Sequence, residues 1–516
     1  MEKLTPEDLA QLDRDKIASL TKNGVVNLSM RLRDLCIELY EKVNQNSSNS
    51  SMPPSSDNPF KKGKKKSEDT DCQEQVDGSC SEGSGEKSKD TLEKNDLLKA
   101  ETNWGETEKR KPGKQIGAQG FGRTQNAKPE DTIEHYPEKC VFCSCDLEKP
   151  LYLSAYTGHY TYELEKDDHQ IRIVCILHRY HYIVCQCGHE NMARPGEGVI
   201  SIEQGRKQNL KLTENRLIGS KLATFIAALN RQYGMSRKKI RQYLIEWFDF
   251  KISDGTICNC IREAGIACYP IVEQLVEELQ QEEQIHVDET PWYQKGVFLW
   301  LWVAVTNNIV IYLIGSRKKE VLLNLITDAF FGWLITDGYA SYRFYEKRQR
   351  CLAHLIRKAI ALTGAVDQNA RKMGDWFLRE IRGLIAAMAE GENGKKKCGP
   401  ILARLKKACN FGSKADHAKL KALAKEILND WDAVVAFVKN PHLPATNNEA
   451  ERALRMAVIF RKICYGTRTE EGSRSYASFL SVMETCKRRG INPWDYIAKV
   501  IACARKGINP PPMQAV

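Results

Sequence analysis

The chain has 516 residues, which at roughly 100–200 residues per domain suggests about three to five folded units. Lysine and arginine total 77 against 66 acidic residues, a net +11 that favours a polyanionic partner or surface. The charged start "MEKLTPEDLAQLDRDKIASL" lacks the apolar stretch of a secretory signal, the longest apolar run (297–305) falls far short of the roughly 18 residues of a membrane span, and 18 cysteines without such a signal argue for reduced thiols and metal ligands over disulfides. A cytoplasmic protein with no membrane partner is expected.

In residues 1–43, Val25, Leu28, Leu32, Leu35 and Leu39 alternate steps of three and four, the seam of a short amphipathic helix that pairs with another copy or packs locally. Residues 44–130 turn to Ser, Gly, Lys and Glu with few large apolar side chains, a composition that predicts a disordered basic linker. Its basic runs, 61–66 and 109–114, are solvated charge or phosphate contacts.

Residues 131–198 hold a cysteine cluster. Cys140 and Cys143 form one close pair, Cys185 and Cys187 a second, and two pairs offered by tight turns suit tetrahedral zinc. Cys145, Cys175, His178, His181 and His189 compete as ligands. Across 199–279 helical periodicity returns. Ile240, Leu244 and Trp247 share a face, "DFKIS" turns the chain, and Ser253 can cap the next helix, which together describe a helix-turn-helix with Lys238, Lys239 and Arg241 outside, suited to DNA.

Beyond residue 280 the pattern becomes strand-like: "QIHVDE", then 297–306, then an Asn307-Asn308 turn into 309–314. A helix with Leu322, Leu323, Ile326 and Ala329 on one side follows, then the strand 332–336 and a short strand running into "CLAHLIRKAI". This is a mixed α/β sheet, interrupted by a helical, basic block over 355–444 before the core resumes at 445–516. Asp288 and Asp337 stand at the ends of apolar strands, where a carboxylate is costly without a cation, and two acids on neighbouring strands can share a divalent metal. Glu289 points to the opposite face from Asp288. Asp328 reads as a solvent-facing helical acid. In "PATNNEAERALR" (444–455), Thr446 with Glu449 and Asn448 with Glu451 both fit a capping box, but two positions apart on a helix, only one glutamate can face a metal.

The stretches "VDETPW", "ITDGYASY", "CLAHLIRK" and "NNEAERALR", in that order, resemble the IS66-type bacterial transposases of the DDE class, and the likeness covers most of the chain. The resemblance implies an RNase H-like core, with the helical block as an insertion, in which Asp288, Asp337 and Glu451 hold two Mg²⁺ (or Mn²⁺) ions for DNA cleavage and strand transfer of insertion-sequence ends. It leaves Glu449 as cap partner, and it implies a structural Zn²⁺ on Cys140, Cys143, Cys185 and Cys187. Arg452, Arg455, Arg461 and Lys462 on the glutamate helix would position phosphates, with an Arg455–Glu451 i,i+4 pair as the plainer alternative. His354 matches a motif position and suits a structural or substrate-positioning role. Partners implied are insertion-element ends and target DNA in a bacterial nucleoid, further copies of the chain, and accessory proteins of the same element. A DNA-binding regulator without activity and a nuclease without strand transfer are the competing functions.

Overall fold

A computed structural model describes residues 17–43, 128–148, 155–194, 198–201 and 217–514, all within one compact unit. The expected linker and its basic runs lie outside these residues, apart from 128–130. No described helix is long and apolar enough to cross a membrane.

Helix α1 (Lys22–Val43) carries the anticipated seam with Val25 and Leu39 exposed and Leu28, Leu32 and Leu35 half-buried. Six strands follow: β1 (Asp131–His135), β2 (Thr157–Lys166), β3 (Ile171–Tyr180), β4 (Tyr182–Val184), β5 (Glu190–Arg194) and β6 (Gly198–Ser201). They form two three-stranded sheets, ordered β1-β3-β2 and β4-β5-β6. The Glu163 carboxylate of β2 accepts the Leu222 backbone N–H at 2.8 Å, which ties the first sheet to the start of helix α2 (Ser220–Arg231).

Helices α3 (Arg237–Phe248), α4 (Asp254–Ala267) and α5 (Tyr269–Leu279) complete the preceding helical region. Ser236 and Ser253 cap α3 and α4 by accepting the N–H of Lys239 and Thr256, the second as the sequence predicts. Ile240 and Leu244 are fully buried, but Trp247 is 72% exposed. It occupies the last turn of α3, where Asp249 enters the left-handed region (φ 46°) and Phe250 enters the core in its place. Lys238, Lys239 and Arg241 face solvent, with Arg241 Nε 3.5 Å from Asp254.

The central sheet comprises β7 (Gln284–Gln294), β8 (Val297–Val305), β9 (Val310–Gly315), β10 (Trp333–Thr336) and β11 (Arg348–Arg350), in the order β11-β10-β7-β8-β9. β7, β8 and β9 are antiparallel neighbours, whereas β10 runs parallel to β7 and β11 parallel to β10. Asn307 and Asn308 form the β8–β9 turn, closed by Thr306 N–H on the Ile309 carbonyl at 2.8 Å. Lys295 and Gly296, both at positive φ, make the β7–β8 turn. Between β9 and β10 the expected helix shortens to α6 (Lys319–Leu322). Gln280 Oε1 accepts the backbone N–H and the hydroxyl of Thr327 at 3.0 Å each, drawing that stretch out of a helical ladder. Leu322 and Ile326 are buried, Leu323 is not, and Asp328 sits in an exposed turn, not in a helix.

Helices α7 (Leu352–Thr363), α8 (Gln368–Ala389), α9 (Glu392–Gly412), α10 (Ala418–Asn429), α11 (Trp431–Val434) and α12 (Ala436–Lys439) build a second hydrophobic core around Phe377, Leu405 and Leu420. Strand β11 joins this block to the sheet. All three of its residues are polar and buried. Arg348 pairs with Asp430 at 2.6 Å, Arg350 with Glu426, and Gln349 accepts the Phe437 N–H at 2.7 Å. Helices α13 (Asn448–Cys464), α14 (Glu470–Arg488) and α15 (Pro493–Lys506) then return to the main core, where α14 packs on β9 and α13 on β7.

Candidate active site

The register Leu334↔Ile285 and Ile335↔His286, continued two residues, sets Asp337 beside Asp288 where β10 ends. Asp288 itself is not at a strand end but midway along β7, an 11-residue strand, because the hairpin to β8 extends to Gln294. Asp288 Oδ1 accepts the Glu289 N–H at 2.9 Å, and Asp337 Oδ1 accepts the Tyr339 N–H at 2.8 Å in a tight turn. Burial pushes the Asp288 carboxyl well above the ordinary carboxylate range, and the neighbouring charges of Glu289, Asp337 and Glu451 push it further. Among the described residues, neither Asp288 nor Asp337 has an ion pair with a protein cation.

Glu289 faces away, as alternation along a strand requires. Its carboxylate is buried and accepts the Arg317 guanidinium at 2.6 and 3.0 Å and the Tyr342 hydroxyl. Arg317 is clamped between the rings of Trp300 (4.0 Å) and Tyr339 (3.8 Å). These contacts occupy Glu289 structurally.

Helix α13, anchored to β7 through Asn447, brings Glu451 near enough for its charge to raise the Asp288 carboxyl. The Asn447 side chain is buried, accepts from His286 Nδ1 at 2.9 Å and donates to the Val287 carbonyl at 2.8 Å. Its own carbonyl accepts the Glu451 N–H at 3.3 Å, one turn along. Glu451 Oε1 lies 3.1 Å from His354 Nε2 and 2.9 Å from Arg357. Burial, reinforced by Arg357, Arg350 and Lys358, holds the His354 imidazole down at about 3, so it is neutral and Nε2–H donates to the carboxylate. The Arg455–Glu451 pair does not form among the described contacts; Arg357 takes that carboxylate instead. The capping-box reading fails too. Asn447 is the N-cap, with no side-chain cap bond because its amide is spent on β7, and Glu449 pairs with Arg452 at 2.9 Å and Arg488 at 3.1 Å. Arg452, Arg455 and Lys462 are exposed on α13, whereas Arg461 donates to Thr290 Oγ1 at 3.1 Å.

The sulfur atoms of Cys140, Cys143, Cys185 and Cys187 lie within 4.8 Å of one another, with Cys140–Cys187 at 3.7 Å and Cys143–Cys185 at 3.5 Å. Gly188 at φ 82° permits the second tight knuckle despite its shorter spacing. The competing Cys145, Cys175, His178, His181 and His189 stay outside this group. Fully buried Asn191 braces it, donating to Cys140 Sγ at 3.5 Å and accepting the Val141 N–H at 2.9 Å. Desolvation opposes ionisation of Cys140, but the N–H groups of Cys143 and Phe142 and the Asn191 amide outweigh it and bring the thiol to about 6. The donor set fits a thiophilic ion.

The sequence reading missed Asn447 and Arg357. Asn447 lay between the two capping candidates Thr446 and Asn448, and its partners His286 and Val287 are about 160 positions away, while Arg357 lies 94 positions from the glutamate it meets.

The curated relatives with matching sequences include three uncharacterized proteins of Sinorhizobium fredii (strain NBRC 101917 / NGR234). The similarity is 24% identity over 327 residues with y4qI (56% of this chain, 60% of that one), 23% over 269 with y4jD (45% and 52%), and 29% over 188 with y4jO (36% and 54%). The chain therefore spans about half to three-fifths of the relatives it matches. The sequence model described as "Transposase IS66 family" matches residues 216–475, a span that runs from the helices before the sheet through Asp288 and Asp337 to Glu451 and the start of α14. With half its length matched and the three acids inside the match, the chain belongs to the IS66 transposase family.

Proposed function

We propose that the protein is a transposase that cleaves and joins the ends of an insertion element, using Asp288, Asp337 and Glu451 as ligands of two divalent cations. The observation that supports the reading is Asp337 standing beside Asp288 in the β7–β10 register, with Asp288 buried, its carboxyl pushed up further by the charge of Glu451, and neither aspartate ion-paired with a protein cation among the described residues. Hard oxygen donors of that kind suit Mg²⁺ or Mn²⁺. Two such ions would supply activation of the attacking oxygen, from water or a DNA 3′-hydroxyl, and stabilisation of the leaving oxygen of a phosphodiester.

The chain's own residues do the positioning. Asn447 fixes Glu451 relative to β7, and His354 orients its carboxylate. Arg452, Arg455 and Lys462 on the exposed side of α13, with Lys238, Lys239 and Arg241 on α3, would hold phosphates without reading sequence. An RNase H-like assignment of the core rests on the strand order β9-β8-β7-β10-β11, with residues 355–444 as an insertion and 131–198 as a zinc module on Cys140, Cys143, Cys185 and Cys187. Residues 199–279 would be a helix-turn-helix-like DNA-binding region and α1 a pairing helix, making the active form at least a dimer on DNA.

Purified protein incubated with labelled element ends and Mg²⁺ tests the reading. Cleavage followed by strand transfer is expected, with both steps lost in Glu451→Gln. Binding without nicking would identify a DNA-binding regulator, and nicking without joining a nuclease.

A further inference from the structure

We infer that Cys351, His354 and Glu451 form a second soft-metal site, a pocket for a thiophilic divalent cation such as Zn²⁺ at the seam between α7 and α13. One sulfur, one imidazole nitrogen and one carboxylate oxygen lie within 4.8 Å of one another there. The His354 Nε2 to Glu451 Oε1 separation of 3.1 Å is close to the edge of a zinc tetrahedron, about 3.3 Å for bonds of roughly 2.0 Å. Cys351 precedes α7 and His354 lies in its first turn, three positions on, so the helix itself points both donors to one side.

Arg357, Arg350 and Lys358 face the imidazole, while the sulfur is met by backbone N–H donors. Cys351 is fully buried, its sulfur accepts the Asn447 N–H at 3.2 Å, and the N–H groups of Ala353 and His354 also point at it. Burial, with the Glu451 charge, pushes the metal-free Cys351 thiol up, and these N–H to sulfur bonds oppose that shift and would stabilise the thiolate of a metal-bound state. Arg357 now supplies the positive charge opposite Glu451. A bound cation would replace that charge, release the Cys351 proton to solvent and take the Nε2 position, the imidazole proton moving from Nε2 to Nδ1. Three protein donors leave a fourth position for water.

Sulfur and imidazole select against Mg²⁺, whereas the Asp288 and Asp337 carboxylates select for it. Glu451 thus stands between a hard site and a soft one, and a thiophilic ion that captures it withdraws it from the aspartates. This consequence, though not the site itself, rests on the reading of Glu451 as a ligand in the Mg²⁺ centre.

Full-length protein, stripped of metal, reloaded with Zn²⁺ and desalted, should carry two zinc ions per chain by elemental analysis. Cys351→Ser and His354→Ala should each carry one, with circular dichroism unchanged, and Cys187→Ser should lose the other. A single zinc in the wild type, or a second zinc that survives in both Cys351→Ser and His354→Ala, overturns the site. In cleavage assays at fixed Mg²⁺, Zn²⁺ should slow the wild type at least tenfold, while Cys351→Ser keeps its own zinc-free rate. Two bound zinc ions without inhibition would keep the site and overturn the role given to Glu451.

Discussion

Asn447 donates its side-chain amide to the carbonyl of Val287, the residue immediately before Asp288. The same side chain accepts from His286, and its backbone carbonyl begins the turn that carries Glu451. One asparagine therefore sets the distance between a strand acid and a helix acid 163 positions apart in the chain. Removing it in Asn447→Ala leaves a buried carbonyl and a buried imidazole N–H without partners, each costing about 1–3 kcal/mol. Urea unfolding should show a loss of about 2–5 kcal/mol. A loss below about 1 kcal/mol would mean that the helix is anchored elsewhere.

Asp288 and Glu289 are adjacent yet do opposite work, and their amide variants should separate them. Asp288→Asn should reduce cleavage by about 10³-fold or more, the scale of losing a group that acts in the transition state. Glu289→Gln should stay within about tenfold of wild type, since Arg317 and Tyr342 already occupy that carboxylate. Comparable losses in both variants would count against Asp288 as the ligand.

The raised Asp288 carboxyl also gives a sign for stability against pH. The folded metal-free protein holds this proton more tightly than the unfolded chain, so stability present below the unfolded pKa of about 3.9 is lost as pH rises through the folded value. Asp288→Asn should raise the neutral-pH unfolding midpoint of the metal-free protein and flatten that decline. A lower midpoint would show that the carboxylate is stabilising.

Around the four cysteines, Asn191→Ala should weaken zinc binding by about 10–100-fold in chelator competition, the usual cost of losing an outer support. Unchanged affinity would mean that the backbone knuckles suffice without it.

On the neighbouring sheet, His135, His159 and His178 stack with Tyr180 on one face. Burial lowers all three imidazoles, His159 to about 4, and repulsion from neighbouring imidazoles adds to it, from His178 and His135 at His159, from His135 at His178 and from His181 at His135. A depressed folded pKa gives stability that is present above about 6.5 and lost as pH falls through about 4. Histidine NMR should show His159 titrating near 4, with sheet amides losing exchange protection across that window. Titration at 6.5 would place its ring in open solvent.

Strand alternation, hairpin turns and the two cysteine pairs were legible in the sequence because each depends on neighbours a few residues away. The pairing of Asp288 with Asp337 was suggested by strand-end position and became definite through the β7–β10 register, which only tertiary structure sets. Trp247 and the shortened α6 misled for a related reason. Periodicity marks which residues share a face, not whether anything covers that face. Glu449 misled differently, since it obeys a local capping pattern with Thr446 that its long-range partner Arg488 overrides, while Asn447, in neither capping register, is held by His286 and Val287.

Strand β11 has a consequence for dissecting the protein. Arg348 and Arg350 are buried in the central sheet, yet the acids that neutralise them, Asp430 and Glu426, belong to the distant end of the helical block. A Cβ at Gly338, next to Asp337, would displace the Arg350 guanidinium from its place. Excising the helices would strand two cations beneath the candidate site. The sheet is not a portable module, and a minimal active fragment must be trimmed from the ends of the chain, not from its middle.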